Sequence, residues 1–316
     1  MKSTGVGGQA VMEGVMMKNK EHYAVAVRKP NNEIEIKVDV YKNAIGLEAF
    51  TKLPFIRGVF NFLDSMILGL KTLTYSASFF EEEEEQKPSI TEKVVNKIVK
   101  KEAAEKIVMG LTITFSLVMA VLIFMLLPYG ITQLFSKQID SYLVLSIIEG
   151  VIRVAIFVGY VALISLMKDI QRVFMYHGAE HKCINCIEHG MELNVENVRK
   201  SSRQHKRCGT SFMLIVMLIS ILFFMFIRVD APLLRLVYRI LLLPVIAGVS
   251  YEFIRLAGQS ENYFVKAFSM PGIWLQNLTT REPDDNMIEV GIASVNAVYD
   301  WKEYLRENFD WKEKKE

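Results

Sequence analysis

The sequence predicts an α-helical integral membrane protein with four transmembrane helices and a small cytoplasmic β-sheet near its N-terminus. Three observations predict it. The chain of 316 residues is 51% hydrophobic, with a mean hydropathy of +0.24. Its apolar residues come in blocks near the ~20 residues that a bilayer core requires. Its cationic residues are distributed unevenly between the segments that join those blocks.

The elements follow in chain order. "YAVAVRK", "PNN" and "EIEIKVDV" read as two alternating strands around a turn, and the preceding "GGQAVMEGVMMK" can add a third. A lone hairpin is marginal in water, so this sheet must pack on the rest of the chain. Residues 53–80 are apolar but carry Arg57, Asp64 and Lys71. Charges spread along the segment suit an interfacial or re-entrant helix better than a span. Glu81–Glu85 reads as a solvated acidic linker, and residues 90–106 as a helical lead-in.

Residues 107–127 contain no charge and form the first expected span. Residues 143–167 form the second, with Glu149 and Arg153 four apart on one face. Charges at that depth must be compensated. A mutual ion pair is the simpler account of them, and an ion or substrate path the sharper one. Residues 210–227 and 233–256 give the third and fourth spans. The division expected is therefore 1–52 for the sheet, 53–106 for the interfacial helix and linker, 107–257 for the membrane domain with its loop 168–209, and 258–316 for a cytoplasmic C-terminal helix.

Lys and Arg number 16 in residues 1–106, one in 128–142, eight in 168–209 and seven beyond residue 257. The positive-inside rule puts both termini and the 168–209 loop in the cytoplasm. Cys183, Cys186 and Cys208 then lie on the reducing side, which argues against disulfides. The first hundred residues lack the pattern of a cleaved signal peptide. A net charge of +2 gives no reason to expect nucleic acid as a partner.

"YHGAEHKC" at 176–183 carries the chemistry. In a helix His177, Glu180 and His181 share one face. H-x-x-E-H is the inverted zincin spacing, in which two histidines hold zinc and the glutamate is the general base. His205 and Cys208, in "HKRCGTSF", are further ligands expected at the same membrane surface. Cys183 and Cys186 form C-x-x-C, a spacing of zinc and redox pairs that also occurs without function. Glu252 and Glu13 are weaker candidates. Glu252 is three residues from Arg255, and Glu13 sits in a glycine-flanked strand. His189 precedes Gly190 and reads as a helix-terminal cation.

"GGQAVMEGVMM", "YHGAEHK", "RCGTSF", "SYEFIRLAG" and "LTTREPDD", in that order, resemble the YqhQ-like family of bacterial membrane proteins. That family is described as uncharacterised and as predicted metal-dependent enzymes. The resemblance implies a bacterial plasma membrane protein in which His177, Glu180, His181, His205 and Cys208 form one site. It does not extend to the C-x-x-C pair. Two function classes follow. One is a metal-dependent hydrolase using a divalent ion, zinc by its donors, on a lipid-linked substrate or a membrane-protein segment. The other is a non-catalytic scaffold or assembly factor whose His/Cys cluster is structural. A transporter fits less well, because intramembrane charges are few and no inverted repeat is visible.

Overall fold

The computed structural model describes residues 3–41, 53–80, 101–227, 229, 231–259 and 262–312. The acidic run Glu81–Glu85 and the start of the helical lead-in lie outside them.

The N-terminal sheet has four antiparallel strands in the order β1 (Gly7–Val11), β2 (Gly14–Asn19), β3 (His22–Arg28) and β4 (Ile34–Val40). The stretch expected to give one strand gives two. Val11 pairs with Gly14, so Met12 and Glu13 alone make the turn, with Glu13 at φ 49°. A Cβ at Gly14 would run into the Ala26 carbonyl, which accounts for the glycine that lets β2 close on β3.

Alternation in these strands sorts side chains to two buried faces. Val11, Met16, Tyr23, Val25 and Val27 pack with Leu68 of α1 (Ile56–Ala77). Val15, Met17 and Ala26 face α5 (Lys168–Glu188) and α10 (Asp285–Asn296). Both faces are therefore covered, and the sheet has the support it needs. The α5 half from Tyr176 onward is buried almost throughout, because β1, β2, α10 and the short helix α6 (Val195–Lys200) surround it.

The apolar part begins with α2 (Lys101–Val121), a π-helical turn at Leu122–Leu126, and α3 (Leu127–Gln133). The π turn has a local cause. Pro128 has no N–H for the carbonyl of Phe124, four residues earlier. Arg153 Nε takes that carbonyl at 3.0 Å. Next come α4 (Tyr142–Ile164), α7 (Gly209–Phe224), α8 (Pro232–Gln259) and α9 (Tyr263–Thr279). Phe157 and Val161 of α4, Leu214 of α7 and Leu275 of α9 form one core cluster. The chain closes with α10 and α11 (Trp301–Phe309).

Among the described residues, three helical stretches are long and apolar enough to cross a membrane: Ile107–Gln133, Tyr142–Ile164 and Leu233–Ala257. The helix α7 is apolar but has 16 residues. At 1.5 Å per residue it reaches ~24 Å, short of a ~30 Å hydrocarbon core. Four spans are thus not established by length.

The second apolar helix and the site helix are separate elements. The first ends at Ile164, and α5 starts afresh at Lys168. Arg281 Nη2 donates to the Ser165 carbonyl at this break, at 3.0 Å. The C-terminal segment is three helices, α9 to α11, where one was expected.

Glu149 and Arg153 do pair, at 2.8 Å, as the simpler account expected. Arg239 of α8 joins them with two bonds to the Glu149 carboxylate, at 2.6 and 2.8 Å. The cluster is buried.

Candidate metal centre

The site forms where the buried half of α5 meets the N-terminus of α7. Because α5 is helical through "HGAEH", His177, Glu180 and His181 share a face. Cys208 is the N-cap residue of α7 and delivers its thiol to the same point. One donor atom from each of His177, His181 and Cys208 lies within 4.8 Å of the other two. Cys208 Sγ is 3.4 Å from His177 Nε2, about the ~3.4–3.7 Å separation expected of two donors on one tetrahedral zinc with bonds of 2.0–2.3 Å.

Main-chain carbonyls aim both rings. His177 Nδ1 bonds the Thr279 carbonyl at 2.8 Å, and His181 Nδ1 bonds the Arg203 carbonyl at 2.6 Å. A carbonyl can only accept, so each neutral ring carries its proton on Nδ1 and leaves the Nε2 lone pair free. This is the outer-shell arrangement of metal-binding histidines. The residues present therefore fit a divalent ion held by His177, His181 and Cys208.

The electrostatics favour a thiolate. Burial pushes the Cys208 thiol up, but His177 and His181 outweigh it and hold the group well below its usual range. Reciprocally, burial disfavours the His177 imidazolium most strongly. The charge of Cys208, its hydrogen bond, and Glu180 together still raise His177 to about 9. His181 is raised by the same balance. The N-terminal end of α7 also favours negative charge on Cys208.

Glu180 is buried beside the donors, with its carboxylate 3.8 Å from His177 Nε2. Its Cγ and Oε1 lie against Gly8 of β1, where a Cβ would approach within 2.7 and 2.8 Å. His177, His181, Cys208 and Glu180 line a cavity of about 240 Å³ together with Gly5, Gly7 and Gly8.

The other candidates fall outside the three-donor group. His205 lines the same cavity but is outside the three-donor group. Its Nε2 is 3.4 Å from Glu188 Oε2, and its Nδ1 accepts from the Arg207 N–H. Glu252 is taken by Arg57 in a two-pronged ion pair at 2.5 and 2.6 Å, with Arg255 at 3.6 Å. Glu13 pairs with Arg172 at 2.5 Å and accepts from Tyr176 at 3.2 Å. Cys183 and Cys186 are buried free thiols. Burial raises both, Cys186 to about 12, so neither is a ready thiolate. His189 is the C-cap of α5, with Nδ1 2.7 Å from the Asn185 carbonyl.

Sequence reasoning missed the residues that hold the 199–208 loop. Lys182 Nζ donates to the Arg199 and Ser201 carbonyls, both at 2.9 Å. Asn185 Nδ2 donates to the Ser202 and Gln204 carbonyls, at 2.7 and 2.9 Å. Gln276 accepts from the His205 N–H and donates to its carbonyl. Their signal in the sequence is faint: Lys182 and Asn185 are polar residues on the helix that carries the histidines.

The chain is thus a mostly helical protein with membrane-length apolar helices and a His/Cys group able to hold a metal ion. Its residues 53–301 match the family described as "Protein of unknown function (DUF1385)", and the chain belongs to that family. It is similar to "Uncharacterized protein YqhQ" of Bacillus subtilis (strain 168), at 33% identity over 296 residues. That alignment covers 92% of this chain and 91% of the relative. No solved structure matches.

Proposed function

We propose that this chain is a metal-dependent hydrolase of the bacterial plasma membrane, working at the cytoplasmic surface, with four spans and both termini inside. The observation that carries the hydrolase reading is the pairing of donors with a separate carboxylate. Three protein donors leave a coordination position open, the arrangement of catalytic rather than structural zinc. A divalent ion there would polarise a bound carbonyl and make water a better nucleophile at neutral pH.

The chain's own residues would do the rest. His177, His181 and Cys208 hold the ion, and the Thr279 and Arg203 carbonyls fix the two rings. Glu180 takes a proton from the attacking water and returns it to the leaving group. The Lys and Arg distribution supports the topology. A lipid-linked substrate or a membrane-protein segment is what a site at that surface would meet.

One observation favours the other reading, a scaffold with a structural cluster. His181 and Cys208 are only 1% and 5% exposed, and structural sites are closed. Glu180→Gln separates the two. The hydrolase reading expects protein from Glu180→Gln to bind one equivalent of zinc and to fail to complement a deletion strain. Full complementation by this variant, alongside failure of substitutions across residues 8–40, would leave the scaffold.

A further inference from the structure

The helix α9 has two faces of different make-up. Ser269, Gly272, Leu275, Gln276 and Thr279 are buried on one of them. Tyr263, Met270 and Trp274, spaced i, i+7 and i+11, form the opposite stripe and are 79%, 61% and 59% exposed. An open aromatic and apolar stripe on a helix that is otherwise packed marks a contact surface.

The neighbours of α9 fix its level against the membrane-length helices. Phe268 meets the edge of Phe253, with 6.3 Å between ring centroids. Phe253 lies four residues before the end of the stretch Leu233–Ala257. A Cβ at Gly272 would run into Ser211, the third residue of α7. Leu275 packs with Val161, three residues before the end of α4. At 1.5 Å per residue these points lie ~3–6 Å inside the three helix ends. A helix that meets all three at one level runs across them rather than along them. It lies beside them, because it touches their sides and not their tips.

The flanks of the stripe tell which side is water. Lys266 and Asn277 are exposed on one flank, and Ala267 and Pro271 on the other. Asn277 Oδ1 accepts from Gln204 Nε2 at 2.8 Å, on the polar loop that leads into Cys208. A polar flank toward that loop and an apolar flank toward the membrane-length helices suit a helix lying in a membrane interface. Trp and Tyr are the residues enriched at that level. Leu163 of α4 and Leu256 of α8, near the same helix ends, are exposed too, so the apolar belt continues from α9 onto its neighbours.

We propose that α9 is an in-plane membrane helix whose Tyr263, Met270 and Trp274 seat in the lipid of the cytoplasmic leaflet. The inference rests on α4 and α8 crossing the bilayer and is independent of the hydrolase reading. Lipid is favoured over a protein partner because the stripe extends a surface that α4 and α8 themselves turn to the bilayer. The metal centre is tied to this helix. Thr279, its last residue, holds His177 Nδ1 through its carbonyl, and Gln276 holds the N–H and carbonyl of His205. Lipid contact along α9 therefore anchors the donor group at the bilayer surface.

The experiment is tryptophan quenching of full-length protein in phosphatidylcholine vesicles, with bromine on the acyl chains either near the headgroup or near the methyl end. The chain has three tryptophans. Trp301 and Trp311 pack against one another at 5.7 Å, and Trp301 belongs to the core around α10. Trp274→Phe removes the tryptophan on the stripe and keeps an aromatic ring there. Bromine near the headgroup should quench the wild type more than bromine near the methyl end, and this quenching should be lost in Trp274→Phe. Quenching undiminished in Trp274→Phe would overturn the proposal. Stronger quenching by the deep bromine would also overturn it, because α9 would then run along a span. Quenching by aqueous iodide with none by brominated lipid would put the stripe in water. Protection from both quenchers would put protein over it, a second copy of this chain in purified vesicles. Either result would overturn the lipid contact.

Discussion

Gly178 lies between the two zinc-spaced histidines' first turn and the strap "TTREP", and its replacement by alanine gives a quantitative test of how the site is built. A Cβ at Gly178 would overlap the Arg281 carbonyl oxygen and come within 3.2 Å of its carbon. The strap must move away from α5. Arg281 N donates to the Phe174 carbonyl at 2.9 Å, and two residues earlier the Thr279 carbonyl holds His177 Nδ1. The displacement therefore reaches one of the two bonds that aim the histidines. Losing an outer-shell partner weakens metal binding ~10–100-fold, equal to ~1.4–2.7 kcal/mol. The packing strain adds a stability loss of ~1–3 kcal/mol.

The assay is zinc affinity by chelator competition, together with thermal unfolding in detergent. Gly291→Ala supplies the comparison. Its Cβ would meet Cys183 Sγ at 2.9 Å, on the α5–α10 contact but away from either histidine bond. It should lose stability with unchanged zinc affinity. If Gly178→Ala bound zinc as tightly as the wild type, the Thr279 carbonyl would have no part in aiming His177.

Two other perturbations follow from buried charge. Glu149→Ala should cost about 3–5 kcal/mol, because Arg153 and Arg239 would both lose their carboxylate in an apolar setting; a loss under ~1 kcal/mol in reversible unfolding would show that other groups neutralise the arginines. Acidification should release the N-terminal segment. Burial alone would raise Glu188, but the His205 bond, Arg207 and the Thr4 N–H lower it below 4.5. A depressed carboxylate contributes stability above its unfolded value and loses it as pH falls through its folded one. Hydrogen exchange of residues 3–8 should therefore rise below pH ~4.5, and the rise should vanish in Glu188→Gln. Equal protection from pH ~6 to ~3 would count against that latch.

How much of this was legible in the sequence depends on what kind of signal each element leaves. Strands β3 and β4 were visible because alternation is local. The split between β1 and β2 was not, since it rests on Glu13 taking φ 49° in "MEG", a turn that has no strong residue signature. The shared face of His177, Glu180 and His181 follows from helical periodicity alone. Cys208 could be placed near the histidines because it lies at the start of an apolar run, where a loop returns to the helices. His205 was grouped with it on the same argument. Its actual orientation depends on Glu188 and on Gln276, 71 residues away. Glu252 meets Arg57 across 195 residues, which no spacing rule could supply. The break at 165–167 likewise depends on Arg281, 116 residues downstream.

Cobalt titration of metal-free, detergent-purified protein asks whether His177, His181 and Cys208 hold one divalent ion. Cobalt bound to a thiolate gives a ligand-to-metal charge-transfer band in the near ultraviolet. This band should grow to saturation at one equivalent, be lost in Cys208→Ser, and fail to form in His177→Ala and His181→Ala. It should persist in Cys183→Ser and Cys186→Ser, whose thiols are buried outside the donor group. Absence of the band in the wild type, or its survival in Cys208→Ser, would show that these three residues do not hold the ion.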